Sequence, residues 1–454
     1  MSLSFVIIGG GPAGVSAATN AARLGAEVTL IERDVLGGAA NLWDCIPSKA
    51  MIVTGGELNQ IRSSAGMGLE SMDPHVDIDA LRSRISVMTA QLADSNRRLL
   101  DSQGVNLVSG TGRLVDDHTV VATTATGEQT FSADAILVST GSRPRIPDWC
   151  SPDGDRVLTT RDAYPPQSMP EHLIVVGSGV TGVEFVHMFS SFGSKVTLIV
   201  SRQQVLPSKD PEVAAVLEAD FLRRGVQLYK GARAVGLERT ESAGVLLRCD
   251  DGRTAEGSHI LLAIGSQPNS EGLGLAEAGV QMDGPWVKSL DHHLRSNIAH
   301  IYVAGDLSGK LPLASVASMQ GRKIAEHVMG LHKVDHKHID YEKAASAIFT
   351  EPEIADVGLA EADAFAEGRK VRVTKVPFGS QAKALINNDS RGFVKIISDP
   401  ATGVVLGGSI VGRHAAELIS VLALAVTNRL TVSDIAESLF VHPALSEALA
   451  EAAE

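Results

Sequence analysis

The sequence predicts an α/β chain in which one strand–turn–helix–strand unit occurs twice and a separate α+β domain follows. Three observations predict it. FVIIGGGPAG runs through an alanine-rich stretch into AEVTLIER. HLIVVGSGVTGVEFVHMFSSFGSKVTLIV repeats that order. From about His336 onward no glycine fingerprint appears, and strand-like runs such as GFVKIIS and VVLGGSIV sit among helical ones.

In the first unit Gly9, Gly11 and Gly14 have separate tasks. They serve a tight turn, close approach of backbone to a pyrophosphate, and close packing of helix on strand. Glu32 closes the second strand, where a carboxylate accepts hydrogen bonds from an adenosine ribose. A glycine turn alone is a weak signal. With strand, helix and terminal acid in order it reads as a Rossmann-like dinucleotide-binding domain. The second unit has Gly177, Gly179 and Gly182 in the same positions. Two such folds imply two dinucleotides, most simply FAD and a nicotinamide with hydride passing between them, and hence an electron-transfer enzyme.

Between the units the sequence predicts a long amphipathic helix from about Ile78 to Ser102, a set of short strands, and the segment AILVSTGSRPRIP, in which Thr140 and Gly141 are candidate cofactor contacts. ILLAIGSQPN, with Gly265, repeats that strand-to-glycine pattern, and HIYVAGD follows, ending on Asp306. Crossovers near Ile146–Asp155 and Pro268 divide the chain into 1–148 with 269–335, 149–268, and 336–454.

A chain of 454 residues suits two to four domains. A formal charge of -13 repels polyanions, and no stretch interleaves Lys or Arg with aromatics, so a nucleic-acid partner is not expected. No apolar run is long enough for membrane insertion, and the opening residues lead straight into a strand, so the expected compartment is the cytoplasm. Cys45, Cys150 and Cys249 are too few and too scattered for a disulfide framework or a zinc site. No metal is expected, and any thiol chemistry rests on one cysteine at a time.

The order of these motifs resembles the class I pyridine nucleotide-disulfide oxidoreductases, which include lipoamide dehydrogenase, glutathione reductase and the soluble transhydrogenases. The resemblance covers essentially the whole chain. It implies an FAD domain split around an NAD(P) domain, and a C-terminal domain that makes a homodimer. It also implies that Asp306 holds the flavin ribityl chain and that Leu313 and Ala314 offer backbone N–H groups at a helix start to the flavin ring. Lys49 and Glu184 match the family's ion pair on the nicotinamide side of the flavin. FVHPALSEALAEA matches the family's H-P-x-x-x-E, which makes His442, oriented by Glu447, an acid–base for the opposite subunit.

The redox segment departs from the family. G-G-x-C-x-x-x-x-C-I-P-S-K appears here as GGAANLWDCIPSK, which puts Ala40 at the first cysteine and Cys45 at the second. The disulfide cannot form, and dithiol exchange with lipoamide or glutathione loses its attacking thiol. Cys45 is then either a small packed residue or a single working thiol. Trp43 and Asp44 replace a small pair found in the lipoamide enzymes and are expected to narrow the substrate channel, with Trp43 packing rather than stacking on an acceptor. His442 either protonates another acceptor or survives as an interface residue.

The second strand of the second unit ends on Val200 without an acid, and Ser201 and Arg202 follow. That end accommodates a 2'-phosphate, so NADP(H) is favoured, with NAD(H) as the alternative. The expected activity is transfer from NAD(P)H through FAD to a quinone or similar small electron acceptor, as in actinobacterial NAD(P)H quinone reductases, which the chain resembles in lacking the cysteine pair. The alternatives are a soluble transhydrogenase and a peroxidase or mixed-disulfide reductase working through Cys45.

Overall fold

The apolar run Phe5–Ile8 is buried at every residue, as a strand covered on both faces requires. In the computed structural model it lies within Ser4–Ile8, the central strand of a five-stranded parallel sheet. Glu27–Glu32 and then Asn106–Ser109 lie on one side, Ala135–Val138 and then Ile301–Val303 on the other. The strand order reverses at Ser4–Ile8, which opens a crevice beyond the strand ends there. The structure describes residues 2–240, 244–331 and 338–454, so the expected boundary at 335/336 lies outside the described residues.

This sheet belongs to a compact unit of residues 1–48, 79–145 and 266–341. Its first helix, Pro12–Arg23, starts on a proline whose missing N–H costs nothing at that position. It buries Ala13, Ala17, Ala18 and Ala21. Such small side chains let the helix Ala314–Val328 come very close: a Cβ on Gly321 would lie 2.1 Å from the Ala13 carbonyl oxygen. The long helix expected at 78–102 is found at Ile78–Ser102.

A second unit contains residues 49–78, 146–265 and 342–454. Its parallel sheet runs Gln227–Lys230, Lys195–Val200, His172–Val176, His259–Leu262, Val157–Thr159, again with the fingerprint strand in the centre. After residue 342 comes an antiparallel sheet of Ser346–Ile348, Glu353–Gly358, Val405–Gly412, Phe393–Ser398 and Arg372–Pro377, covered by the helix Ala415–Asn428. Lys395, on the interior strand Phe393–Ser398, is fully buried and is matched by the carboxylates of Asp210, Glu212 and Glu361. The fold is therefore the mixed α/β architecture expected, with an α+β C-terminal domain. Among the described residues no helix is long and apolar enough to cross a membrane.

The helix Val180–Phe192 is buried on nearly every side and carries His187, which is 1 % exposed. Burial, reinforced by the guanidinium groups of Arg224 and Arg391, holds this imidazole well below its usual range. The unfolded chain therefore binds a proton below pH ~6.5 that the folded chain does not. Stability should fall as pH drops below that point, by about 1.4 kcal/mol per pH unit for this one proton. Denaturant titrations at pH 7.5 and 5.5 are expected to show a slope that His187→Gln lowers by one proton. An identical slope in a folded variant would show that His187 does not titrate on unfolding.

Candidate active site

In the first unit the expected cofactor residues gather at the carboxyl ends of one sheet. Gly9, Gly11 and Gly14 follow Ser4–Ile8, Thr140 and Gly141 follow Ala135–Val138, Glu32 ends its strand, and Asp306 follows Ile301–Val303. The three glycines divide their tasks as their spacing predicts. Gly9 has φ +103° and a Cβ there would sit 2.4 Å from the Ser139 carbonyl oxygen; one on Gly14 would sit 1.9 Å from that of Gly9. A Cβ on Gly11 meets nothing within 4 Å. Gly11 is thus bare toward open space at the start of a helix, where backbone N–H groups and the helix dipole favour an anion. These features fit a pyrophosphate.

Glu32 Oε2 accepts the Gly10 N–H at 2.6 Å and Oε1 that of Asp34 at 2.7 Å, so the strand end is tied to the turn. Beside it a cavity of about 260 Å³ is lined by Asp34, Val35, Ala93, Arg97 and Ser109. Thr140 donates its hydroxyl to the Asn269 carbonyl at 2.7 Å, and the Asn269 side chain returns a bond to the Thr140 carbonyl at 3.0 Å. Asp306 accepts the Ser142 hydroxyl at 2.6 Å. Leu313 is the N-cap residue and Ala314 the first residue of the helix Ala314–Val328, which is the helix start expected there.

The redox segment is part of the same unit. Ala40–Asp44 forms a single π-helical turn in which the Cys45 N–H donates to the Ala40 carbonyl at 3.2 Å. Such turns cluster at functional sites. The Ser48 hydroxyl donates to the carbonyls of Asp44 at 2.8 Å and Cys45 at 3.1 Å. Asn41, which is buried, fastens the turn to the long helix through the Thr89 carbonyl at 3.0 Å. Cys45 is half-buried, and Cys45, Cys150 and Cys249 are all free thiols. At position 40 a methyl group stands where a partner sulfur is needed.

The second unit repeats the glycine geometry. A Cβ on Gly177 would lie 2.2 Å from the Ala263 carbonyl oxygen and one on Gly182 1.8 Å from that of Gly177, whereas one on Gly179 meets nothing within 4 Å. Gly265 follows His259–Leu262 at φ +96°, again facing open space, and Ser201 and Arg202 are exposed beyond Lys195–Val200. Lys49 Nζ lies 3.0 and 3.3 Å from the two carboxylate oxygens of Glu184. Glu184 is only 5 % exposed at its side chain, and Oε1 also accepts the Phe349 N–H at 3.0 Å. Lys49 stands 4.8 Å from the centre of the Phe349 ring. Phe349 was not legible as a site residue, because it pairs with Glu184 from a remote strand end.

His442 Nδ1 lies 2.7 Å from Glu447 Oε1, and Glu447 Oε2 accepts the Ala444 N–H at 2.9 Å. The Ala444 N–H, helped by His442, holds the Glu447 carboxyl below its usual range. A carboxylate at Nδ1 fixes the proton there and leaves Nε2 as the acceptor of a neutral ring. The His442 side chain is 74 % exposed in the single chain.

Comparison with known proteins identifies the family. The family model described as pyridine nucleotide-disulphide oxidoreductase matches residues 3–321, and the dimerisation domain of the same family matches 344–453. A Mycobacterium tuberculosis protein named NAD(P)H dehydrogenase (quinone) is 43 % identical over 100 % of this chain and 94 % of its own length. The dihydrolipoyl dehydrogenase of Haloferax volcanii is 36 % identical over 99 % of this chain and 95 % of its own. The crystal structure of LpdA from Mycobacterium tuberculosis superposes with a TM-score of 0.94 at 42 % identity, covering 99 % of both chains. The chain therefore belongs to the pyridine nucleotide-disulphide oxidoreductases, flavoprotein enzymes that use FAD and NAD(P)H, and it carries that family's dimerisation domain.

Proposed function

We propose that this enzyme oxidises NAD(P)H at FAD and delivers the electrons to a quinone or similar small acceptor without a redox disulfide. The observation that carries the reading is that position 40 is alanine, which leaves Cys45 as the single thiol of the redox segment. The 43 % identity with a protein named NAD(P)H dehydrogenase (quinone) supports it. FAD bound at these residues would supply the two-electron chemistry that links the nicotinamide to the acceptor.

The residues supply binding, orientation and charge. In this reading Gly9, Gly11, Gly14 and Glu32 hold the adenosine and pyrophosphate of FAD, Thr140, Gly141 and Asp306 its middle, and Leu313 and Ala314 its ring. Gly177, Gly179, Gly182 and Gly265 hold the nicotinamide dinucleotide. Ser201 and Arg202 offer a hydroxyl and a cation to a 2'-phosphate, which favours NADP(H). Glu184 holds Lys49 as a fixed cation beside the flavin. The protein works as a homodimer in the cytoplasm, and His442, oriented by Glu447, moves a proton at Nε2 in the partner's site.

Cys45→Ser tests the reading. The variant is expected to keep most of its NADPH-dependent menadione reduction, and neither form should reduce lipoamide at a comparable rate. Loss of menadione reduction in a folded, flavin-loaded variant would transfer the chemistry to the thiol.

A further inference from the structure

At the edge of the first unit's parallel sheet, remote from the glycine turns, three imidazoles converge. His292 and His293 lie on the loop before the edge strand Ile301–Val303, and His338 arrives from beyond the helix Ala314–Val328. One ring nitrogen from each lies within 4.8 Å of the others. The ring centres of His338 lie 4.3 Å from His292 and 4.9 Å from His293, and those two are 4.2 Å apart. We propose that His292, His293 and His338 form a binding site for a divalent transition-metal ion of the zinc class, with water completing the coordination.

The chemistry of the donors selects the ion. Three imidazoles without a carboxylate suit zinc, copper or nickel and not calcium or magnesium, which take oxygen. The cluster is also held in advance. Asp291 Oδ1 accepts the backbone N–H groups of His293 and Arg295, each at 2.9 Å, and Oδ2 accepts Arg295 Nε at 2.8 Å. Leu294, buried in the core, anchors the loop to the edge strand through the Val303 N–H at 3.0 Å. Behind the site His327 packs on His293 at 3.9 Å, and its Nδ1 is hydrogen-bonded to the Tyr302 hydroxyl at 2.8 Å. The loop that carries two of the ligands is thus fixed through its backbone, and the His293 ring through its packing on His327.

The site's location says what the ion does. His327 lies 13 residues along the helix from Ala314, about 20 Å from its N-terminus. The ion is therefore too distant to take part at the flavin. It staples the loop before Ile301–Val303 to the segment that follows the helix. Cysteine spacing predicted no metal, because these ligands are histidines scattered over two segments. Edge-on packing of the imidazoles without an ion is the competing account.

Isothermal titration of Zn2+ into tag-free, FAD-loaded, EDTA-treated full-length protein tests the proposal, with metal counted by mass spectrometry. One ion per chain is expected. His292→Gln/His338→Gln, which changes two exposed rings and leaves His293 packed, should weaken binding at least about tenfold. Zn2+ should raise the thermal midpoint of the parent but not of that variant, with menadione reduction equal in both. His118, which stacks on His300 at 3.9 Å near Asp117, is the control. Absence of a stoichiometric site, parent-like affinity in the double variant, or loss of binding on His118→Ala would overturn the assignment.

Discussion

Glu184→Gln is expected to slow NADPH-dependent menadione reduction by roughly two orders of magnitude while the protein stays folded and yellow. The carboxylate is nearly inaccessible and gathers two donors, the Lys49 ammonium at 3.0 Å and the Phe349 N–H at 3.0 Å. Glutamine preserves the shape, and its amide oxygen can still accept from Phe349. Its NH2 group then faces the ammonium, and a donor opposed to a donor drives Lys49 out of position. Breaking a buried pair from the lysine side is costlier, about 3–5 kcal/mol, because an uncompensated carboxylate stays behind. Glu184→Gln therefore separates catalysis from folding better than Lys49→Met does. Stopped-flow flavin bleaching by NADPH, with the thermal midpoint measured alongside, provides the check. An unchanged rate in the folded variant removes the ion pair from the hydride path.

Gly11→Ala and Gly14→Ala are expected to fail in opposite ways. Gly11 has φ -71°, an angle alanine adopts freely, and its added methyl would meet no protein atom within 4 Å. The apoprotein should keep its thermal midpoint. The methyl would instead occupy the approach proposed for the pyrophosphate, and overpacking of about 1–3 kcal/mol corresponds to a roughly five- to 150-fold loss of FAD affinity. At Gly14 the methyl would lie 1.9 Å from the Gly9 carbonyl oxygen, a backbone atom that cannot swing aside. That variant should lose at least about 3 kcal/mol of stability before any cofactor is added. Fluorescence titration with FAD and thermal melts of both apoproteins distinguish the two. Equal FAD affinity in Gly11→Ala and the parent would exclude this turn as the pyrophosphate site.

What was legible in the sequence follows from how local each signal is. The glycine turns, the helix Ile78–Ser102 and the strand ending on Glu32 are written in contiguous residues, and the structure has them at those positions. The pair of Lys49 with Glu184 was legible only through family resemblance, since 135 residues separate its members. Its third member, the Phe349 N–H, leaves no trace in residue type, because any amino acid but proline presents the same donor. The π-helical turn at Ala40–Asp44 was hidden too: alanine and leucine favour an ordinary helix, and the wider turn is held by a remote bond from Asn41 to the Thr89 carbonyl and by the local hydroxyl bond of Ser48 to the Asp44 carbonyl. The histidine cluster was not legible because its third member, His338, lies 45 residues beyond the His292–His293 pair and meets it only in the fold.

The central claim is that electrons leave the flavin without a disulfide, and an anaerobic titration of the FAD-loaded enzyme with NADPH tests it most directly. One equivalent per flavin should bleach it fully, with no long-wavelength band from a thiolate against the ring. Menadione should restore the oxidised spectrum, and lipoamide should not. A second equivalent consumed before bleaching, or faster re-oxidation by lipoamide than by menadione, would contradict the account and make Cys45 a redox centre.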